Sequence, residues 1–221
     1  MLRFPCLVLD HDETVVQTEQ KMGYPFFVDI LKTLRPGVSI SLTDYVYDCY
    51  SIGFVELCKR RFAFTDEELK NEHRQWNDYI HTHIPDPYPG IDRIIKKQKE
   101  LGGVICVVSH SDRETILRDY KTHFGMTPDA IYGFDLPPEK RKPSPYPLLD
   151  IMQRFGFKPE DILVVDDANL ACQMADPLGI QVAFPAWSKE GMDTITREMA
   201  ERCAYSFKTP GQLEEFLFST D

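Results

Sequence analysis

The stretch Cys6-Leu7-Val8-Leu9-Asp10-His11-Asp12-Glu13-Thr14 decides how this chain is read. Its four leading apolar residues, with no polar alternation, predict a strand buried on both faces, as in the middle of a parallel sheet. In open α/β sheets ligands gather beyond the carboxyl ends of the strands, and aspartates two positions apart there point the same way. Carboxylates so placed repel one another and lose hydration. They stay ionised only where a cation or a set of donors holds them, which makes Asp10 and Asp12 the first candidates for chemistry.

Working outward, further apolar runs fall at Val104 to Val108, Ile131 to Phe134, Ile162 to Val165 and Val182 to Phe184. Helical patterns lie between them. Ser111 with Glu114 predicts a capping box ahead of Ile116 and Leu117, and Ser144-Pro145 opens a segment that Gly156 closes. Strands alternating with helices predict a doubly wound, Rossmann-like parallel sheet. Residues 16–85 break this rhythm, with helical patterns at Phe26 to Leu34 and after a Thr65/Glu68 capping box but no core strand. They are expected to form an all-helical insertion, leaving 1–15 and 86–221 as the core. Pro85 to Gly90 is a stiff, turn-rich exit suited to a hinge. Lys96, Lys97 and Lys99 are expected to form a solvated helix face.

With 221 residues, the chain can bury a full core. A formal charge of −10 argues against nucleic acid or an anionic membrane surface as partner, so an anionic substrate must be held by local positive groups. The six cysteines show no CxxC spacing, and Cys6 and Cys106 fall inside core strands, where a thiol acts as a small hydrophobe. No run approaches membrane-spanning length, and no basic region with a long apolar segment opens the chain. The expectation is a reduced, soluble, cytoplasmic protein.

Three more strand ends and loops carry candidate chemistry. Val104 to Val108 ends in Ser109, His110, Ser111 and Asp112 just before a helix, where a hydroxyl and free backbone N–H groups make an anion site. Lys142 sits between Arg141 and Pro143, in a Pro-rich loop that would aim a side chain reproducibly. Ile162 to Val165 ends in Asp166 and Asp167. If that strand neighbours the first, four carboxylates converge, an oxygen-only set that suits Mg²⁺ better than zinc.

Taken in order, DxDxT after an apolar strand, a strand ending in Ser, a later Lys-Pro, and a strand ending in an acidic pair resemble the haloacid dehalogenase superfamily of phosphotransferases. The resemblance extends to the PYPG exit at Pro87 to Gly90, the KPSPYPLL segment, GFKPEDILVVDD, and a tail with an apolar strand and terminal helix. It implies a Rossmann-like core with a helical cap, close to phosphoglycolate phosphatases and β-phosphoglucomutase relatives. It further implies Asp10 as the nucleophile forming an aspartyl-phosphate and Asp12 as general acid and base. Ser109 and the His110 amide would hold phosphoryl oxygens, which Lys142 would neutralise. Mg²⁺ would be bound by Asp10, the Asp12 carbonyl and Asp167, with Asp166 nearby.

Phosphoryl transfer makes that set sensible on physical grounds. Its transition state spreads charge over three oxygens, so catalysis needs in-line placement and surrounding positive charge. A carboxylate nucleophile divides hydrolysis into two displacements, and a second carboxylate can serve both.

Two departures stand out: Glu13 where many members carry Gly, and Ala171 where some place a further acid. His11, by strand alternation, should turn away from the aspartates into the core. The expected activity is a Mg²⁺-dependent phosphatase acting on a small phosphorylated metabolite. The rivals are a phosphomutase of the β-phosphoglucomutase type and a non-catalytic phosphate-binding module.

Overall fold

In the computed structural model, which describes residues 2–219, β1 (Cys6–Leu9) is flanked by β2 (Val104–Val108) and β4 (Ile162–Val165). With β3 (Ala130–Tyr132), β5 (Gln181–Pro185) and β6 (Tyr205–Phe207) it forms a six-stranded parallel sheet in the order β3-β2-β1-β4-β5-β6. The order reverses between β1 and β4, the switch point at which such sheets open a crevice. Register decides what meets there. Leu9 is level with Val107 on one side and Val165 on the other, so Asp10, the β2 exit and Asp166 leave the sheet together.

Leu7, Leu9, Ile105, Val107, Leu163 and Val165 belong to one buried cluster with Ile91, Ile94 and Ile95 of α5 (Ile91–Glu100). Ile116 and Tyr120 of α6 (Arg113–Phe124) join it. Cys6 and Cys106 are free and buried, as small hydrophobes should be. The weaker run at 131–134 departs from its expectation. The strand is Ala130–Tyr132, and the chain then turns so that the Phe134 amide donates to the Ser111 carbonyl at 3.0 Å. Gly133 permits this, because a Cβ there would lie 2.8 Å from that carbonyl oxygen.

Lys99 also departs from the solvated-face reading. Its ammonium donates to both Asp129 carboxylate oxygens at 2.8 and 2.7 Å, and Asp129 in turn accepts from the Ile105 amide.

The chain divides into two units. Met1–Val16 with Pro87–Asp221 forms the sheet unit, and Gln17–Asp86 the helical one. The helical unit holds α1 (Tyr24–Leu34), α2 (Leu42–Ser51), α3 (Phe54–Phe62) and α4 (Asp66–Thr82). Phe27 is at its centre, against Tyr45, Phe54, Phe62 and Phe64. The Thr65/Glu68 capping box forms as expected, and Arg35 adds a two-pronged bond to Glu68 at 2.9 Å each.

Glu72 on α4 is 7 % exposed, and burial pushes its carboxyl up to about 7 from 4.5. A raised folded-state pKa means that the native chain holds the proton more tightly between those values. Stability is therefore fully present below about 4.5 and lost as pH rises toward 7, by at most about 3 kcal/mol. Glu72→Gln is expected to melt above the parent at pH 8 and alongside it at pH 4.5, as read by calorimetric scans at both.

The sheet unit continues with α7 (Tyr146–Phe155), α8 (Asn169–Ala175), α9 (Asp193–Arg202) and α10 (Pro210–Phe218). Gly156 closes α7 in the left-handed conformation, with φ 74°.

Candidate active site

The backbone ladder runs one residue past each strand at the switch point. The Asp10 amide donates to Val165 O at 2.9 Å, Ser109 to Tyr132 O at 3.0 Å and Asp166 to Ala183 O at 3.2 Å. Asp10, Ser109 and Asp166 therefore stand on a pinned main chain. Carboxylate oxygens of Asp10, Asp166 and Asp167 lie within 4.8 Å of one another, all three residues buried. This cluster can hold a metal ion, and its all-oxygen donors suit a hard cation.

Lys142 reaches the same place from the loop before α7. Its Nζ lies 3.0 Å from Asp10 Oδ1 and 2.7 Å from Asp166 Oδ2. Burial works against the ammonium charge, but Asp10 and Asp166 outweigh it and hold the lysine protonated. Burial pushes the Asp166 carboxyl well above the usual carboxylate range. Lys142 pulls the other way, while the charges of Asp10 and Asp167 add to the rise. Asp166 also accepts from the Ala168 amide at 2.8 Å, which fixes its orientation. Ala171 is buried on α8 and offers no ligand atom.

Asp12 is held by hydroxyls. Ser111 Oγ donates to its Oδ2 at 2.6 Å and Ser109 Oγ to the same oxygen at 3.4 Å. The expected Ser111/Glu114 capping box does not form: Asp112 is the N-cap of α6, without a side-chain cap bond. A serine before a helix can serve the helix or a neighbouring carboxylate, and here the carboxylate wins. His110 stands at the rim, its Nε2 donating to the Lys142 carbonyl at 3.1 Å and its ring edge-on to Phe134. Burial and then the Lys142 charge lower its pKa.

Glu13 adopts the left-handed backbone, φ 55°, that a glycine would take more easily. Its carboxylate accepts from Tyr88 at 2.7 Å, so the side chain gains a partner in a buried setting. His11 does turn away from the aspartates, as alternation requires, but it meets another acid. It is 1 % exposed, with Nε2 3.0 Å from Asp119 Oδ2 on α6. Burial lowers its pKa, yet the Asp119 bond and the charges of Asp12, Asp119 and Asp10 outweigh it and raise the value.

Sequence reasoning missed three members of this neighbourhood: Ser111 as a partner of Asp12, Asp119 beneath His11, and Lys189, whose Nζ is 2.7 Å from Asp167 Oδ2. An acid on the buried face of α6, beside Ile116 and Tyr120, was the available signal for Asp119. In the helical unit, Tyr45 is buried against Phe27 and Tyr24. Lys59 pairs with Asp66 at 2.8 Å and Arg60 with Glu56 at 2.6 Å, which are packing and surface roles.

Buried carboxylates and a lysine at the switch point of a parallel α/β sheet make a site suited to binding a cation together with an anionic group. Comparison with known proteins narrows this. Residues 7–184 match the haloacid dehalogenase-like hydrolase family, and the chain belongs to it. It is 26 % identical to a pyrophosphatase PpaX of Halalkalibacterium halodurans over 86 % of both chains. It is 29 % identical to a phosphoglycolate phosphatase of Aquifex aeolicus over 66 % of this chain and 68 % of that one. Among solved structures, one described as a predicted phosphoglycolate phosphatase from Haemophilus somnus shares the fold, with a TM-score of 0.74 at 19 % identity. It covers 98 % of this chain and 99 % of that one. Among the described residues, no helix is long and apolar enough to cross a membrane.

Proposed function

We propose that this chain, a phosphatase of the haloacid dehalogenase family, hydrolyses a small phosphorylated metabolite in the cytoplasm through an aspartyl-phosphate intermediate, with Mg²⁺ as cofactor. The observation that carries the proposal is the shared pocket of Asp10, Lys142, Asp166 and Asp167 at the end of β1. Asp10 is the nucleophile, its carboxylate attacking phosphorus as the leaving oxygen departs. Asp12, with Oδ2 accepting from Ser111, gives that oxygen its proton and then takes one from the water that opens the acyl phosphate. Lys142 offsets the charge that grows on the phosphoryl oxygens, joined by the Ser109 hydroxyl and the His110 amide. Asp10, the Asp12 carbonyl and Asp167, with Asp166 alongside, would hold Mg²⁺, which supplies further charge neutralisation. The helical unit, residues 16–85 in the sequence reading, takes the role of the cap.

Relatives named pyrophosphatase and phosphoglycolate phosphatase support small phosphate esters or anhydrides as substrates. They lend nothing to the phosphomutase or the non-catalytic module. A phosphate-release screen across phosphorylated metabolites, led by pyrophosphate and 2-phosphoglycolate, tests the proposal. Turnover should appear for a small anion, vanish with chelator, return with Mg²⁺, and fall about 10²- to 10⁴-fold in Asp12→Asn. Chelator-resistant turnover, or a retained bisphosphate in place of free phosphate, would sink it.

A further inference from the structure

We propose that Lys189 is a positioning residue that competes with a divalent cation for Asp167 and so sets how tightly the acidic cluster takes its ion; this rests on the metal-assisted reading above. Lys189 ends the short turn Ala186–Lys189 that leaves β5, is 4 % exposed, and places Nζ 2.7 Å from Asp167 Oδ2. The same carboxylate supplies an oxygen to the metal-capable trio.

The fold aims this lysine. β5 pairs with β4, with Val165 level with Ala183, so the turn after β5 lies beside the loop that carries Asp166 and Asp167. The turn is fixed by Ser188 Oγ donating to Pro185 O at 3.0 Å and Trp187 Nε1 to Thr14 O at 3.3 Å. The Met192 amide donates to Lys189 O at 3.0 Å. A buried ammonium held so firmly on a carboxylate is costly to place unless that carboxylate needs a counter-charge.

Charge explains the need. Asp10, Asp12, Asp166 and Asp167 are met by two ammonium groups, Lys142 between Asp10 and Asp166 and Lys189 on Asp167. Four carboxyl groups thus face two ammonium groups, and a divalent ion would answer that excess of acid. Lys189 thus has opposed effects. It keeps Asp167 in place and paired without the ion, and it repels the ion and occupies a lone pair that the ion would use.

The test is calorimetric Mg²⁺ binding to the whole protein without substrate. Lys189→Met should bind Mg²⁺ at least about tenfold more tightly than the parent and, in chelator, melt at a lower temperature. Lys189→Arg, which keeps the charge, should bind as the parent does. If Lys189→Met does not fold, Lys189→Gln removes the charge and keeps a donor, with the same tightening expected. Equal or weaker binding in the uncharged variant overturns the role of Lys189 and leaves the metal reading standing. A parent that binds no Mg²⁺ overturns both.

Discussion

Asp10→Asn is expected to lose phosphate release by at least about 10⁴-fold while its melting temperature holds or rises. The kinetic half of this expectation follows from the role: an amide oxygen is a poor nucleophile, and no other carboxylate stands on the β1 ladder at that place. The stability half follows from the neighbourhood. Asp10 shares its pocket with Asp166 and Asp167, so removing one charge relieves repulsion, while the amide oxygen can still accept from Lys142 Nζ, now at 3.0 Å. Turnover and melting measured on one preparation separate the two. A variant that keeps its turnover with Mg²⁺ present ends the covalent mechanism, whereas one that loses turnover and unfolds together says nothing for a nucleophile.

The parts of this site that were legible in the sequence are those fixed by short-range pattern. An unbroken apolar run followed by acids marks a buried strand and its exposed end, and this located Asp10, Asp12, Asp166 and Asp167. Prolines around Lys142 marked a fixed loop. The illegible parts are meetings between distant residues. His11 and Asp119 are 108 positions apart, and their contact depends on how α6 packs on β1. Ser111 is ambiguous in the sequence because a helix cap and a carboxylate partner call for the same residue in the same place, and only the nearness of Asp12 decides between them. Lys189 offered no local pattern. It acquires meaning from the strand order, which sets β5 beside β4. Phe134 misled in the opposite sense: its apolar character continued a strand pattern that Gly133 interrupts to let the loop pack on Ser111.

Lys142→Met is expected to cost more stability than any other single change at the site, about 3–5 kcal/mol at neutral pH, and to lose activity as well. The lysine is buried and bonded to two buried carboxylates, so its removal leaves Asp10 and Asp166 without their ammonium, and methionine supplies volume but no charge. The pH dependence gives the cause away. Without Lys142 the Asp166 carboxyl, already pushed up by burial, loses the influence that pulls it down. Its folded-state pKa then lies further above its unfolded value. A carboxyl raised in the folded state contributes stability below its unfolded pKa and loses it as pH rises through the folded one, so the deficit of the variant should shrink on acidification. Denaturation of both proteins at pH 5 and pH 8 reads this directly. A deficit that stays the same at both would mean that the loss is one of packing around the aliphatic stem, and that the ammonium does not hold these carboxylates together.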